Sequence, residues 1–276
     1  MSLKSKASTV LRRSQEFLVI SQDQLHSWAA ERGVSRRRAL ELALEEGIFP
    51  EEWERNFPSL SAVDQLTLWR SRAMAVGLGG LGGCQAQLLA RAGVGHLYLA
   101  DGDCFTPSNL NRQLLATSET LGQNKALVTA RYLRQINEAL EVEAIPEFLD
   151  QRRLQNFLPE VQVVLDALDT LAVRREIVTA AKAAGVPVVH GAVSGVFGQV
   201  TTLLPQDPGE SSWLFPGAAP FEPETASGVL APVVTLTASL QVMEALRLLL
   251  KQAPAYHGVL AHFDGDTGRL EILPLE

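Results

Sequence analysis

Apolar residues in the middle of the chain occur in short continuous runs, and helically spaced apolar positions come between the runs. The runs cover residues 73–76, 96–100 and 161–165, and the clearest helical patterns cover 84–92 and 173–184. Short apolar runs are typical of buried parallel strands, and a helix is the usual connection between them. The pattern predicts an α/β domain whose mostly parallel, twisted, Rossmann-like sheet has helices on both faces.

The first fifty residues have a different pattern. Residues 1–20 begin polar and basic, and we expect a loosely ordered start. Ser21 and Ser35 then stand where each could cap a short helix, because a serine hydroxyl accepts a hydrogen bond from a free N–H of the first turn. We therefore predict a helical amino-terminal arm over residues 1–50, followed by the α/β domain over 51–276.

The last third of the chain predicts an antiparallel end to the sheet. Two strands are expected over 186–191 and 195–204. A stretch rich in Pro, Gly, Ser and Glu then predicts a long crossover loop over about 205–229. A continuous apolar helix over 233–250 and a pair of strands over 258–273 complete the chain. Polar residues interrupt this helix, which favours a buried or dimer-facing helix over a membrane span.

Composition limits the function. The chain has 276 residues, 46% of them hydrophobic, and a net charge of −7. This acidic balance argues against nucleic acid as the main partner. Two cysteines, Cys84 and Cys104, cannot build a disulfide framework or a four-cysteine zinc site. No signal peptide and no apolar run of membrane-spanning length is evident, so we expect a cytoplasmic protein with no membrane partner.

The most informative stretch is a glycine-rich turn between a predicted strand and a predicted helix. Glycine tolerates positive φ and lets a phosphate approach the backbone. The helix that follows would present free N–H groups and the positive end of its dipole to that phosphate. We predict that the turn binds a nucleotide through Gly77, Gly79, Gly80 and Gly82.

Polar residues after the next strand indicate which nucleotide. Asp101 ends that strand, where a carboxylate can bind ribose hydroxyls, and to this point NAD and ATP fit equally well. Asn109, Arg112 and Gln113 follow shortly, and Lys125 opens the next helix. Arginine binds phosphate oxygens with two donors and lysine supplies a point charge, so this set favours a triphosphate over NAD.

The order of these motifs resembles the ThiF/MoeB/HesA family, the bacterial relatives of the ubiquitin-activating enzymes. Members bind ATP and Mg²⁺ and join the C-terminal carboxylate of a small ubiquitin-like protein to the α-phosphate, releasing pyrophosphate. The resemblance implies an ATP-dependent adenylyltransferase for a ubiquitin-like or sulfur-carrier protein that ends in Gly-Gly. It runs from about Trp53 to the carboxy terminus and rests on the glycine turn, Asp101-x-Asp103, Ser108-Asn109-Leu110-Asn111-Arg112-Gln113 and Gly122-Gln-x-Lys125.

The resemblance also implies roles for individual residues. The glycine turn would cradle phosphate, Asp101 would bind the ribose, and Gln113 would support the neighbouring loop. Asn109, Arg112 and Lys125 would hold the phosphates and stabilise the charge that develops at the α-phosphorus.

Two further roles follow from the resemblance. Asp169 matches the family's metal-associated aspartate, although Thr170 replaces the asparagine that usually follows it. Arg55 stands where the family places an arginine that reaches the ATP of the partner subunit. The resemblance therefore implies Mg²⁺ near Asp169 and a homodimer.

The crossover loop departs from the family pattern. Many relatives carry a loop cysteine that takes the acyl group, and this chain has Glu224 in its place. The cysteine pairs that bind zinc in relatives are also missing, since Glu210-Ser-Ser-Trp213 precedes Leu-Phe-Pro. We expect no zinc and no enzyme thioester, so the acyl-adenylate would pass directly to an external sulfur or amine nucleophile.

Other functions stay open on the sequence. One is adenylation of a peptide carboxylate or of a carboxylate on a modified tRNA base, for which the basic residues of the arm leave room. Others are a nucleotide-binding module without catalysis and an NAD-dependent oxidoreductase. His190 could be a general base, but it ends an apolar strand and is interpreted as a structural histidine.

Overall fold

The computed structural model describes residues 2–168, 170–207 and 228–275. Its amino-terminal arm combines a small sheet with two helices. Strands β1 (Ser8–Arg12) and β2 (Gln15–Ile20) form an antiparallel hairpin. Helices α1 (Gln22–Arg32) and α2 (Arg36–Glu45) follow, and β3 (Ile48–Pro50) pairs parallel with β2.

The hairpin corrects our expectation for residues 1–20, because the start of the arm is strand rather than loosely ordered chain or helix. Its turn places Arg13 and Ser14 at φ 48° and 63°, a conformation that usually requires Gly, Asn or Asp and so gave no signal in the sequence. The two predicted caps are confirmed, since the hydroxyls of Ser21 and Ser35 each accept a hydrogen bond from an N–H of the first helical turn.

Eight strands of the described residues form the main sheet. Five come in the first part of the domain, namely β4 (Arg72–Val76), β5 (His96–Ala100), β6 (Glu141–Ile145), β7 (Val163–Asp166) and β8 (Val188–Ser194). The other three are β9 (Phe197–Leu203), β10 (Val259–Asp264) and β11 (Arg269–Pro274). The helices around the sheet are α3 (Ala62–Arg70), α4 (Gly80–Ala92), α5 (Lys125–Ile136), α6 (Gln151–Leu154), α7 (Leu171–Ala183) and α8 (Ala231–Leu249).

The strand order is β11-β10-β9-β8-β7-β4-β5-β6. Neighbours from β6 to β8 pair parallel, and those from β8 to β11 pair antiparallel. This confirms the predicted α/β fold with its antiparallel finish. Strand β6 was not predicted, because it lies at an edge and alternates exposed Glu141 and Glu143 with partly buried residues.

Alternate residues of the central strands bury two separate cores. Ala73 and Ala75 belong to the core that also contains residues of α3, α4, α5 and α8, whereas Met74 and Val76 belong to the core with residues of α7. Helices therefore cover both faces, as predicted. The first core also includes residues of the arm such as Trp28 and Phe49, so the arm packs onto the domain.

Helix α8 alone in the described chain has the length and apolar composition of a membrane span, and half of that window is buried within the protein. A core helix of a folded domain gives the same signal. Its polar residues Gln241 and Glu244 are buried and hydrogen-bonded, to backbone carbonyls of β7 and β8 and to Thr202 respectively. These contacts tie α8 to the sheet.

Candidate active site

A cavity of about 370 Å³ lies at the carboxyl ends of the central strands. After β4 the chain builds β5 and β6 on one side, and then returns to place β7 on the other side of β4. Loops that leave neighbouring strands in opposite directions open a crevice, which is where open α/β sheets bind ligands.

The glycine-rich turn forms the floor of this cavity. Gly77 has a φ of 84°, and Gly79 and Gly80 line the cavity beside the amino terminus of α4. Gly82 does not line it. A methyl group on Gly82 would lie 1.8 Å from the Gly77 carbonyl oxygen, so this glycine allows α4 to pack against the turn. The turn therefore combines exposed backbone for an anion with close packing behind it.

Asp101 is buried beside the turn, with two backbone N–H groups on its carboxylate. Leu78 donates to Oδ2 at 2.7 Å and Asp103 donates to Oδ1 at 2.8 Å. Burial raises the pKa of Asp101, and the nearby Lys125 charge and the two N–H groups oppose that rise. The carboxylate thus holds the glycine turn in place and still faces the cavity.

Two cations reach the cavity from different elements. Lys125, the first residue of α5, is 7% exposed, and its Nζ lies 3.0 Å from Asp103 Oδ2 and 4.0 Å from Asp101 Oδ2. Arg112 is partly buried and donates from Nη1 to the Ser108 carbonyl at 3.1 Å and to Asn111 Oδ1 at 2.9 Å. Both contacts use Nη1, so among the described residues Nε and Nη2 have no partner and can meet a phosphate.

Gln113 lines the same wall as Arg112 and is buried. Its Oε1 has no hydrogen-bond partner among the described residues. A buried carbonyl oxygen without a partner is costly, so a donor on a bound ligand would stabilise it.

Three other predicted residues do not line the cavity, and one cannot be placed. Asn109 is buried in a 3₁₀ turn, where its Oδ1 accepts a hydrogen bond from the Thr106 N–H at 3.0 Å. Arg55 is exposed in the 3₁₀ helix Glu51–Asn56. Gly82 has the packing position described above. Asp169 lies outside the described residues, as do Glu224 and most of the predicted crossover loop.

The opposite wall of the cavity was not predicted. It is built by the segment after β6 and by the start of α7. The Phe148 ring is 71% exposed and packs over Gly102, where an added methyl group would lie 2.7 Å from the ring. Leu168 and Val173 complete a flat apolar slot, and Glu147, Leu149, Asp150 and Glu176 also line this side. Had β6 been predicted as a strand, the segment after it, residues 147–150, would have been expected at the carboxyl end of the sheet, where ligands bind.

His190 lies behind the cavity rather than in it. It is 1% exposed, and its Nδ1 is 2.7 Å from Asp166 Oδ2. Burial lowers the pKa of His190, which makes the neutral imidazole the stable form. Its position agrees with the structural interpretation of this residue.

The arrangement suits a nucleoside triphosphate. The cavity is lined by the glycine turn before α4, by the cations Arg112 and Lys125, by the Asp101 carboxylate and by apolar side chains. Phosphates bind helix amino termini and cations, a base stacks on apolar surfaces, and ribose hydroxyls donate to carboxylates.

Comparison with known proteins agrees with this geometry. The protein-family sequence model described as "ThiF family" matches residues 53–276 of this chain. The sulfur carrier protein ThiS adenylyltransferase of Escherichia coli is 37% identical over 216 residues, which cover 76% of this chain and 84% of that protein. The molybdopterin-synthase adenylyltransferase of the same organism is 38% identical over 208 residues, which cover 74% and 82%. The crystal structure of E. coli MccB with ATP shares the fold, with a TM-score of 0.70 at 21% identity over 82% of this chain and 71% of that chain.

Proposed function

This chain belongs to the ThiF family, and from that premise we propose that it is an ATP-dependent adenylyltransferase. Its substrate is the C-terminal carboxylate of a small ubiquitin-like or sulfur-carrier protein. The similarity to the ThiS adenylyltransferase supports this substrate class. The product is an acyl-adenylate.

A single observation carries the proposal, namely the convergence of Lys125, Arg112 and the amino terminus of α4 on one cavity. These groups supply positive charge from three separate parts of the chain to the cavity that would hold the triphosphate. An NAD site needs charge compensation for a diphosphate only, and the glycine turn already provides it. The extra cations are explained by a reaction that develops negative charge on phosphorus.

The reaction needs no covalent bond to the enzyme. A carboxylate oxygen of the substrate attacks the α-phosphorus, and the bond from that phosphorus to the bridging oxygen of pyrophosphate breaks. The protein accelerates this step by holding the reactants in line and by placing fixed positive groups where charge develops. Arg112 and Lys125 have the charge and position for that role, and Asp101 orients the ribose.

Mg²⁺ is part of the proposed reaction. Nucleotide-bound Mg²⁺ usually takes one or two carboxylates and completes its shell with phosphate oxygens and water. Among the described residues no group of three or more metal-ligating side chains is present, but Asp101 and Asp103 bring carboxylates to the cavity. This donor set fits a metal that arrives with the nucleotide, and Asp169 is the further ligand we propose. Bound Mg²⁺ would neutralise phosphate charge.

We further propose that the acyl group does not pass through an enzyme thioester. The chain has only two cysteines. Cys84 is buried in α4, where burial raises the pKa of its thiol and disfavours the nucleophilic thiolate. Cys104 is exposed in the loop after Asp101, outside the predicted crossover loop, and no cysteine follows it in the sequence. The adenylate is therefore consumed by an external nucleophile.

The test is ATP–pyrophosphate exchange with Mg²⁺, measured with a panel of small proteins that end in Gly-Gly. We expect exchange with at least one of them, and loss of exchange when that protein lacks its last two residues. Arg112→Ala should abolish exchange, whereas Arg131→Ala, on the outer face of α5, should not. ATP binding without exchange for any carrier would contradict the proposal.

A peptide carboxylate is the second candidate, and the arm provides the observation that favours it. Strand β1 pairs only with β2 among the described residues, so its outer edge can accept an extended peptide as a further strand. Leu11 on this strand is 68% exposed. Exchange that requires residues 1–50 and a short peptide, rather than a folded carrier, would support this candidate.

We also propose a homodimer in the cytoplasm. The exposed position of Arg55, away from the cavity of its own chain, is compatible with its use in the active site of a partner subunit. The location follows from the proposed use of ATP. Size-exclusion chromatography with light scattering tests the oligomeric state, and a monomer at micromolar concentration would contradict it.

A further inference from the structure

A buried polar cluster joins three elements directly behind the cavity. Asp166 ends β7, His190 lies on β8 and Arg174 lies on α7, and all three are at most 5% exposed. His190 Nδ1 is 2.7 Å from Asp166 Oδ2, and Arg174 Nε is 3.8 Å from the same oxygen. Because Arg174 and His190 both contact it, the pKa of Asp166 is held below its usual value despite the burial.

The cluster is connected to the cavity wall through the backbone. Asp166 Oδ1 accepts a hydrogen bond from the Leu168 N–H at 3.1 Å, and Arg174 Nε donates to the Leu168 carbonyl at 2.6 Å. Ala167 and Leu168 both line the cavity. A methyl group on Gly77 would lie 2.8 Å from the Ala167 carbonyl oxygen, so this wall also touches the glycine turn. The position of the wall thus depends on the orientation of the Asp166 carboxylate.

His190 has a feature that simple packing does not explain. Its Nε2 is buried and has no hydrogen-bond partner among the described residues. An unpaired polar atom in the interior costs free energy, and an apolar side chain of similar size would avoid that cost. An apolar side chain could not make the hydrogen bond at Nδ1, which the neutral imidazole donates to Asp166.

We propose that His190 is a positioning residue for nucleotide binding, which acts through Asp166 to set the cavity wall formed by Ala167 and Leu168. Arg174 neutralises Asp166 and clamps the Leu168 carbonyl. His190 itself contacts no substrate. The inference rests on the proposed function in so far as ATP is the ligand whose binding the wall controls.

Two amide substitutions test this proposal, because they mimic different ring nitrogens. Asparagine places its NH₂ near the position of Nδ1 and can still donate to Asp166, whereas glutamine places it near Nε2 and cannot. We expect His190→Asn to keep ATP affinity within about threefold of wild type, and His190→Gln to lower it on the order of tenfold or more. Val242→Ala, a core truncation in α8 outside the cluster, controls for general loss of stability. Isothermal titration calorimetry with ATP and Mg²⁺ gives the affinities.

Thermal unfolding separates positioning from folding. His190→Gln leaves Asp166 without this donor and should be the less stable of the two variants, so its ATP affinity is compared with that of Val242→Ala, which loses stability but should keep wild-type affinity. In wild type, a downfield imidazole proton resonance from Nδ1–H should appear in the NMR spectrum and be absent in both variants. Equal effects of the two amides on ATP affinity, or no effect of either, would overturn the inference.

The outcome is distinguishable from that of the proposed function. If wild type binds ATP but no carrier supports exchange, the proposed function fails while the affinities of the two amide variants still decide the inference. If wild type binds no ATP at all, both fail.

Discussion

The backbone N–H of Leu78 donates a 2.7 Å hydrogen bond to Oδ2 of Asp101, so the carboxylate at the tip of β5 holds the glycine turn at the tip of β4. The sequence had indicated only that this carboxylate could bind ribose. The structure gives this carboxylate a second role, because its hydrogen bond fixes Asp101 and the glycine turn to each other before any nucleotide binds. Such preorganisation lowers the cost of binding.

Replacing Asp101 should therefore weaken both ATP binding and folding. Asp101→Ala leaves the N–H groups of Leu78 and Asp103 without their acceptor, which we expect to cost about 1–3 kcal/mol of unfolding free energy. Asp101→Asn keeps one acceptor and removes a buried charge, so it should cost less. Both should lower ATP affinity about tenfold or more. Calorimetry and urea unfolding measure the two effects, and Asp266→Ala, in the exposed turn of the terminal hairpin, should change neither.

The Lys125 ammonium should matter for chemistry more than for folding. Its partner Asp103 is about half exposed, so water replaces the ion pair when the charge is removed. Lys125→Met keeps the apolar stem, and we expect pyrophosphate exchange to fall on the order of 100-fold with little change in melting temperature. The matched control is Lys182→Met in α7, whose ammonium donates to the Asp207 carbonyl. Exchange that survives Lys125→Met would remove this lysine from the proposed mechanism.

Two neighbouring glycines of α4 should respond in opposite ways to alanine. A methyl group on Gly82 would lie 1.8 Å from the backbone oxygen of Gly77, whereas one on Gly83 would lie 3.5 Å from that of Leu78, which is ordinary contact. Gly82→Ala should destabilise the protein by more than about 3 kcal/mol, because backbone must move. Gly83→Ala should be neutral or stabilising by up to about 1 kcal/mol, since alanine favours a helix. Urea unfolding of the pair checks the sign of each effect.

The sequence predicted those parts of the fold that have a strong local pattern. Apolar runs identified the central strands, and the serines identified the helix caps of the arm. The hairpin over Ser8–Ile20 was not predicted, because its turn has Arg13 and Ser14 at positive φ where glycine or asparagine is usual. Strand β6 was not predicted either, because an edge strand with exposed glutamates has no continuous apolar run.

The site divides in the same way. Residues in ordered motifs, such as Asp101, Arg112 and Lys125, were found, and the structure brings them to one cavity. The apolar cavity wall around Phe148 was not predicted, because no sequence motif marks such a wall and only tertiary packing brings its residues together. Gly82 belongs to the glycine turn and Asn109 to the segment 108–113, but neither lines the cavity. Their contacts support the surrounding backbone. The spacing of a motif does not distinguish such a supporting residue from one that lines the cavity.

Stability should depend on pH through His190. The folded protein lowers the pKa of this buried histidine, so the unfolded chain binds its proton more readily. The free energy of unfolding should therefore fall as the pH drops below about 6.5, the ordinary histidine value, and continue to fall until the folded-state pKa is reached. His190→Asn lacks this contribution, so the difference in stability between wild type and variant should shrink over that range. Contributions that the two proteins share cancel in this difference. A constant difference between about pH 7.5 and about pH 5, a range of roughly 2.5 units that contains the ordinary histidine pKa, would contradict the assignment.

Arg55 and Arg112 provide a test of a shared active site. Arg112 lines the cavity of its own chain, whereas Arg55 is exposed and does not line that cavity, and its side chain makes no hydrogen bond or ion pair to the described residues. If Arg55 serves the partner subunit, Arg55→Ala and Arg112→Ala should each abolish pyrophosphate exchange. A mixed dimer of the two variants then contains one intact site, formed by Arg112 of one subunit and Arg55 of the other. With random pairing half of the dimers are mixed, so co-expressed variants should recover about a quarter of wild-type exchange. Recovery would establish a site completed in trans, and two inactive variants that stay inactive when co-expressed as dimers would place Arg55 in the site of its own chain.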